Sequence, residues 1–389
     1  MSRFLFVVPP LAGHVNPTVS VGRELARRGH DVAWTGLPGV DALLPPGSPF
    51  LPAGSPAALG HVDDLRRRSQ GLRAAAAFKF LWEHVLLPLA YAMVDGVDEV
   101  VAAWAPDVVV ADQQTLAGAA VACRRGLPWA TSATTSAELV DVLADLPLAA
   151  RWVDERVARF RADAGVAEHH GLRVSEHLVL VFSSRRLVGE HLDFPDHYAF
   201  VGPAIADRPE PDDGFPWGWL GGAPTEPTEP DGEPGHPRLP RLLVSLGTVN
   251  AEAGARFYGV VAEALAGEPV RAVLVAPPDA VPDPPENLLV RARVPQLALL
   301  PHLDAVVSHG GHNTVCETLA HGLPLVVAPI RDDQPVVADQ VVRAGAGLRV
   351  RFGRVRAPEL RAAVRRVLDE PAFRAAAGLV RQSFEAAGG

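Results

Sequence analysis

Short, unbroken apolar runs recur along the chain, separated by stretches whose apolar residues return at helical spacing. Phe4-Leu5-Phe6-Val7-Val8 and Ala305-Val306-Val307 are two such runs. Continuous apolar runs of this length read as strands covered on both faces. In the first half the pattern predicts a strand at 4–8 and a loop through His14. A helix at 17–28 follows, with Val21 and Leu25 on one face and Gly29 as its stop, then a strand at 31–35. The rhythm returns as a strand at 107–111, a helix at 115–125 and a strand at 128–131, with later strands at 178–182 and 198–201. Strands alternating with helices predict an α/β fold of parallel, doubly wound sheets.

The character changes after Gly202. Residues 203–240 are dense in Pro, Gly, Asp and Glu and read as a linker that cannot bury a core. A second α/β half restarts with a strand at 241–246 running into Gly247-Thr248, then a helix at 253–266 and a strand at 270–275. The strand at 305–307 opens into a helix at 314–321, closed by Gly322 ahead of Pro324; a further helix is expected at 335–343. Two helical patterns, 358–368 and 371–386, close the chain. The expected organisation is residues 1–202 as one domain, 203–240 as the linker, 241–370 as a second domain and 371–389 as a terminal helix. No short-period repeat is present.

Composition narrows the classes. At 389 residues the chain has room for two ordinary domains, and 48% hydrophobic against 21% charged residues describes a globular protein with a large core. A net charge of −9 argues against nucleic acid or an acidic membrane as a general partner. Two cysteines, Cys123 and Cys316, make no disulfide framework and fit a reducing, cytoplasmic setting. The first apolar run is too short for a signal peptide, and none approaches transmembrane length, so no membrane insertion is expected. No His, Cys, Asp or Glu cluster has metal-ligand spacing, so neither a metal nor a bound cofactor is expected.

The densest chemistry lies in Ser308-His309-Gly310-Gly311-His312-Asn313-Thr314-Val315-Cys316-Glu317, followed by Asp332-Asp333-Gln334-Pro335. A strand, two glycines and a helix start make an anion seat, because the first N–H groups of a helix lack partners and its dipole favours negative charge there. His309, Asn313 and Thr314 add side-chain donors at that end, as a diphosphate requires. Glu317, one turn in on the same face, can accept hydrogen bonds from a sugar's hydroxyls. In the first half, His14 and Asp112 both follow strands at their carboxyl ends, where open parallel sheets bind ligands. A histidine beside an aspartate makes a general base with a fixed tautomer.

The segment from Arg293-Val294-Pro295-Gln296 through His309-Gly310-Gly311-His312-Asn313-Thr314 to Asp333-Gln334 resembles the donor signature of the family 1 nucleotide-sugar glycosyltransferases. These include actinobacterial enzymes that glycosylate natural products. The resemblance implies a GT-B architecture: two Rossmann-like domains facing a cleft, with the C-terminal helix crossing back to the N-terminal domain. It implies a metal-independent, inverting hexosyltransferase that moves a sugar from a UDP- or dTDP-sugar to a hydroxyl of a small hydrophobic acceptor. His14 is then the base and Asp112 its partner. His309, Asn313, Thr314 and the backbone near Gly311 hold the diphosphate, Glu317 the ribose, Asp333 and Gln334 the sugar. Thr248 faces the donor from the other side, and Gln296 with the Val294 backbone meets the base. The chain departs from the family at Arg293, where a base-stacking tryptophan is common; a planar guanidinium can also stack.

Each of these residues has a plainer reading. His14 is one of fourteen histidines, Asp112 can cap the helix near Thr115, Asn313 and Thr314 can cap theirs, and Asp333 can cap the helix after it. Phe78, Phe80, Trp82 and Met93 are either acceptor pocket or ordinary core. Arg66-Arg67-Arg68 reads as a solvated helix face, Trp217 and Trp219 as pins of the linker, and both cysteines as buried and inert. A GT-B sugar-nucleotide epimerase and an inactive donor-binding auxiliary protein remain as alternatives. Whether the chain is a monomer or homodimer stays open.

Overall fold

The computed structural model describes residues 1–55, 68, 72, 74–137, 139–140, 146–205, 214–221, 238–247 and 254–389. The chain divides into two compact units, Met1–Arg208 with Ala387–Gly389, and Pro209–Ala386. Most of the expected linker, together with Thr248, Arg66 and Arg67, lies outside the described residues.

The first unit is built on β1 (Arg3–Val7), β2 (Asp31–Gly36), β3 (Phe50–Pro52), β4 (Val108–Asp112), β5 (Trp129–Ala133), β6 (Val179–Val181) and β7 (Tyr198–Phe200). They form one parallel sheet in the order β3-β2-β1-β4-β5-β6-β7. Alternate residues of β1 face opposite cores: Leu5 and Val7 join one apolar cluster, Phe6 and Val8 the other. That two-sided burial is why the run is continuously apolar rather than alternating. Trp82 and Met93 belong to the first cluster, which settles their side chains as core.

The second unit repeats the plan with β8 (Arg241–Ser245), β9 (Arg271–Val275), β10 (Leu288–Arg291), β11 (Ala305–Ser308), β12 (Leu325–Val327) and β13 (Gly347–Arg349). Their order is β10-β9-β8-β11-β12-β13, again all parallel. Trp217 and Trp219 pack on an apolar cluster of this unit with Phe215 and Leu220, so they do pin the end of the linker region. Each sheet reverses its winding once, between β1 and β4 and between β8 and β11. In open α/β sheets that switch point is where the carboxyl ends leave a crevice for ligands.

Candidate active site

In the first unit the switch point holds His14 and Asp112. His14 is not in a loop: the helix Ala12–Arg27 starts before it, with the Leu11 carbonyl accepting from the N–H groups of His14 and Val15 at 2.9 and 3.0 Å. Pro17 therefore sits inside the helix instead of opening it. Trp34 of β2 fixes this helix from below. Its Nε1–H donates to Thr18 Oγ1 at 2.9 Å, Thr18 donates on to the Val15 carbonyl at 2.7 Å, and a Cβ at Gly22 would stand 2.5 Å from the indole ring. Asp112 is the last residue of β4, its side chain fully buried. It caps no helix; one oxygen accepts from the Gln114 N–H at 2.9 Å, and both oxygens lie 3.0 Å from His14 Nδ1. The imidazole itself is 14% exposed, enough to meet a ligand.

Thr134, one residue past β5, completes the group. Its hydroxyl lies 2.7 Å from His14 Nδ1 and 2.9 Å from the second Asp112 oxygen. The sequence reading missed it. The available signal was the polar run Thr131-Ser132-Ala133-Thr134-Thr135-Ser136, whose hydroxyl residues are all buried at the carboxyl end of a strand next to β4. Buried hydroxyls need partners.

In the second unit β11 runs into His309, and the helix His312–Ala320 begins two residues earlier than expected, with Gly311 at its N-cap and no side-chain cap. Asn313 and Thr314 therefore lie inside its first turn. Gly310 adopts φ 88°, in the left-handed region natural to glycine. The His309 ring is 7% exposed and lies between two glycines: a Cβ at Gly311 would stand 2.5 Å from Nε2, and one at Gly247 2.7 Å from Cε1. Burial pushes the imidazole down to about 4, against the opposing pull of the Asp333 carboxylate and the Ser245 carbonyl. His309 is thus neutral at pH 7 and sits within the field of Asp333.

Glu317 is 3% exposed and accepts from Gln296 Nε2 at 2.5 Å, so the expected ribose and base contacts are joined by one hydrogen bond. The Val294 side chain packs on the apolar cluster around Leu299, while Arg293 is exposed. Gln334 is buried with its Oε1 accepting from the N–H groups of Ile330 and Arg331 at 2.9 and 3.1 Å, which leaves its amide NH₂ end as the donor. Asp332, at φ 55°, makes the sharp turn ahead of Asp333. Asp333 occupies the N-cap of the helix Gln334–Arg343 without a side-chain cap bond. Cys316 is buried 3.5 Å from His312 Nε2, and Cys123 is half-buried, its thiol pushed up by burial. Among the described residues no three His, Cys, Asp or Glu side chains gather as metal ligands, and no helix is long and apolar enough to cross a membrane.

Residues 268–387 match the family described as erythromycin biosynthesis protein CIII-like, C-terminal domain. The chain is 29% identical to 4'-demethylrebeccamycin synthase of Lentzea aerocolonigenes, over 99% of this chain and 96% of that one. It is equally 29% identical to demethyllactenocin mycarosyltransferase of Streptomyces fradiae, over 100% of this chain and 84% of the other. The crystal structure of the glycosyltransferase of kitacinnamycin superposes with a TM-score of 0.75 at 26% identity, covering 100% of this chain and 96% of that one. With two parallel-sheet domains, a CIII-like C-terminal match and full-length relatives of this kind, the chain resembles the GT-B glycosyltransferases of natural-product pathways.

Proposed function

We propose that this glycosyltransferase moves a sugar from a UDP- or dTDP-linked donor to a hydroxyl of a small, largely apolar acceptor, with inversion at the anomeric carbon. His14 is the general base. One observation carries the reading: a buried carboxylate, Asp112, lies 3.0 Å from His14 Nδ1 at the carboxyl edge of a parallel sheet. With its proton held at Nδ1, the imidazole presents the Nε2 lone pair as the basic group.

His14 Nε2 takes the acceptor's hydroxyl proton as the oxygen forms its bond to the anomeric carbon. The bond from that carbon to the diphosphate oxygen breaks, and its electron pair leaves with the nucleotide. Attack from the face opposite the leaving group inverts the centre. The charge that develops on the diphosphate is met by the first N–H groups of the helix His312–Ala320. His309, Asn313, Thr314 and the Gly311 backbone serve the same end, so no metal ion takes part. Glu317 accepts from the ribose hydroxyls, Asp333 and the Gln334 amide hold the sugar, and Gln296, Val294, Arg293 and Thr248 meet the rest of the donor. The names of the full-length relatives, a rebeccamycin-type synthase and a mycarosyltransferase, support a natural-product aglycone as acceptor.

The test is product mass. UDP-glucose and a set of dTDP-deoxysugars are offered with phenolic and macrocyclic acceptors to wild type and His14→Ala. A conjugate formed by wild type and lost in the variant is the expected result; a conjugate that survives His14→Ala removes His14 as base.

A further inference from the structure

The His14–Asp112 pair is geometrically incomplete without a third residue. Nδ1 lies 3.0 Å from each carboxylate oxygen. Equal distances mean that the carboxylate alone prefers no one direction for the N–H, and a small rotation of the imidazole costs it little. The Thr134 hydroxyl removes that freedom, lying 2.7 Å from Nδ1 and 2.9 Å from one carboxylate oxygen.

The proton arrangement follows from what each group can do. An ionised carboxylate accepts only, so the Thr134 O–H donates to Asp112, and a Thr134 lone pair is left facing His14 Nδ1. Two acceptors, the carboxylate and the hydroxyl oxygen, then surround Nδ1, and both require it to carry the proton. The competing arrangement turns the Thr134 O–H toward an unprotonated Nδ1. It strips Asp112 of that donor and places the proton on Nε2, where the ring can no longer act as a base. Thr134 is 3% exposed and approaches from β5, whereas Asp112 comes from β4 and His14 from the helix after β1. Three separately anchored backbones thus converge on one ring nitrogen.

We infer that Thr134 is a positioning residue that holds His14 in the Nδ1–H tautomer, and in one ring orientation, by accepting from Nδ1 and donating to Asp112. The inference rests on His14 being the base, and the experiment separates the two. Thr134→Val keeps the shape and removes the hydroxyl; Thr134→Ser keeps the hydroxyl. With ¹⁵N-histidine labelling, two-bond proton–nitrogen correlations report the tautomer of each ring, and the signals missing in His14→Ala identify His14. In wild type His14 should be the Nδ1–H form. In Thr134→Val the Nε2–H form should appear, kcat should fall by about 10- to 100-fold, the worth of one hydrogen bond to a charged group, with donor KM unchanged. Thr134→Ser should restore both. Unaltered His14 signals with wild-type kcat in Thr134→Val overturn the inference. So does a rise in donor KM without a tautomer change, which makes Thr134 a sugar contact. Turnover retained in His14→Ala overturns the base assignment itself, whatever the tautomer measurement gives.

Discussion

Replacing Gly311 with alanine adds one methyl group where the structure leaves least room for it. Gly311 has φ −60° and ψ 132°, values any residue adopts, so the substitution carries no backbone penalty. Its entire effect is steric: the new Cβ stands 2.5 Å from His309 Nε2 and 2.7 Å from Cε1. Because the ring is 7% exposed and walled on the other side by Gly247, it cannot simply swing into solvent. Overpacking of this kind costs roughly 1–3 kcal/mol of stability. A displaced imidazole also forfeits the hydrogen bond proposed for it to the diphosphate, worth about 1.5–3 kcal/mol and thus on the order of 10- to 100-fold in affinity. Titration calorimetry with UDP and dTDP measures that loss. On a His309→Ala background the methyl group meets no ring, so the two losses should be strongly non-additive. Wild-type nucleotide affinity in Gly311→Ala, or full additivity in the double variant, refutes the placement of His309 at the phosphate.

Two further outcomes follow from the same site. His309 stays neutral in the fold down to about 4, whereas the unfolded chain binds that proton at the ordinary 6.5. Stability should therefore fall as pH drops from 6.5 towards 4, by on the order of 3 kcal/mol; urea midpoints should show a shallower acid loss in His309→Gln, and an identical slope would refute it. On the proposed mechanism, in which helix N–H groups and side chains carry the diphosphate charge, transfer should continue unchanged in EDTA; loss that Mg²⁺ restores would refute it.

Much of this was legible in the sequence because the central strands are buried on both faces. The runs at β1, β8 and β11 announce themselves by unbroken apolarity, and the motif around His309 follows one of them directly. Three strands of three residues were not legible, β3 and β13 at sheet edges and β12 between β11 and β13, because so few residues show no period; β6 and β7 are as short but lie within the longer apolar runs 178–182 and 198–201. Pro17 misdirected the reading of His14, since proline favours a helix start, yet the Leu11 carbonyl begins the turn five residues before it would. Thr134 was hidden by its neighbours: a run of hydroxyls looks like a loop, but pairing with β4 and β6 carries β5 through Ala133. The Gln296–Glu317 contact spans 21 residues and two helices, a distance no local pattern encodes.

The stack of Thr18, Gly22 and Trp34 beneath the first helix has a consequence for how His14 is aimed. The helix that carries His14 is held by β2, through the Trp34 indole against Thr18 and Gly22, while Asp112 takes its position from β4. The two halves are mounted on different supports on either side of β1, and the distance between them is a tolerance set by the sheet itself. Trimming the indole at position 34 would loosen the helix that carries His14 from the face on which that helix packs, without touching the anchor of Asp112 on β4.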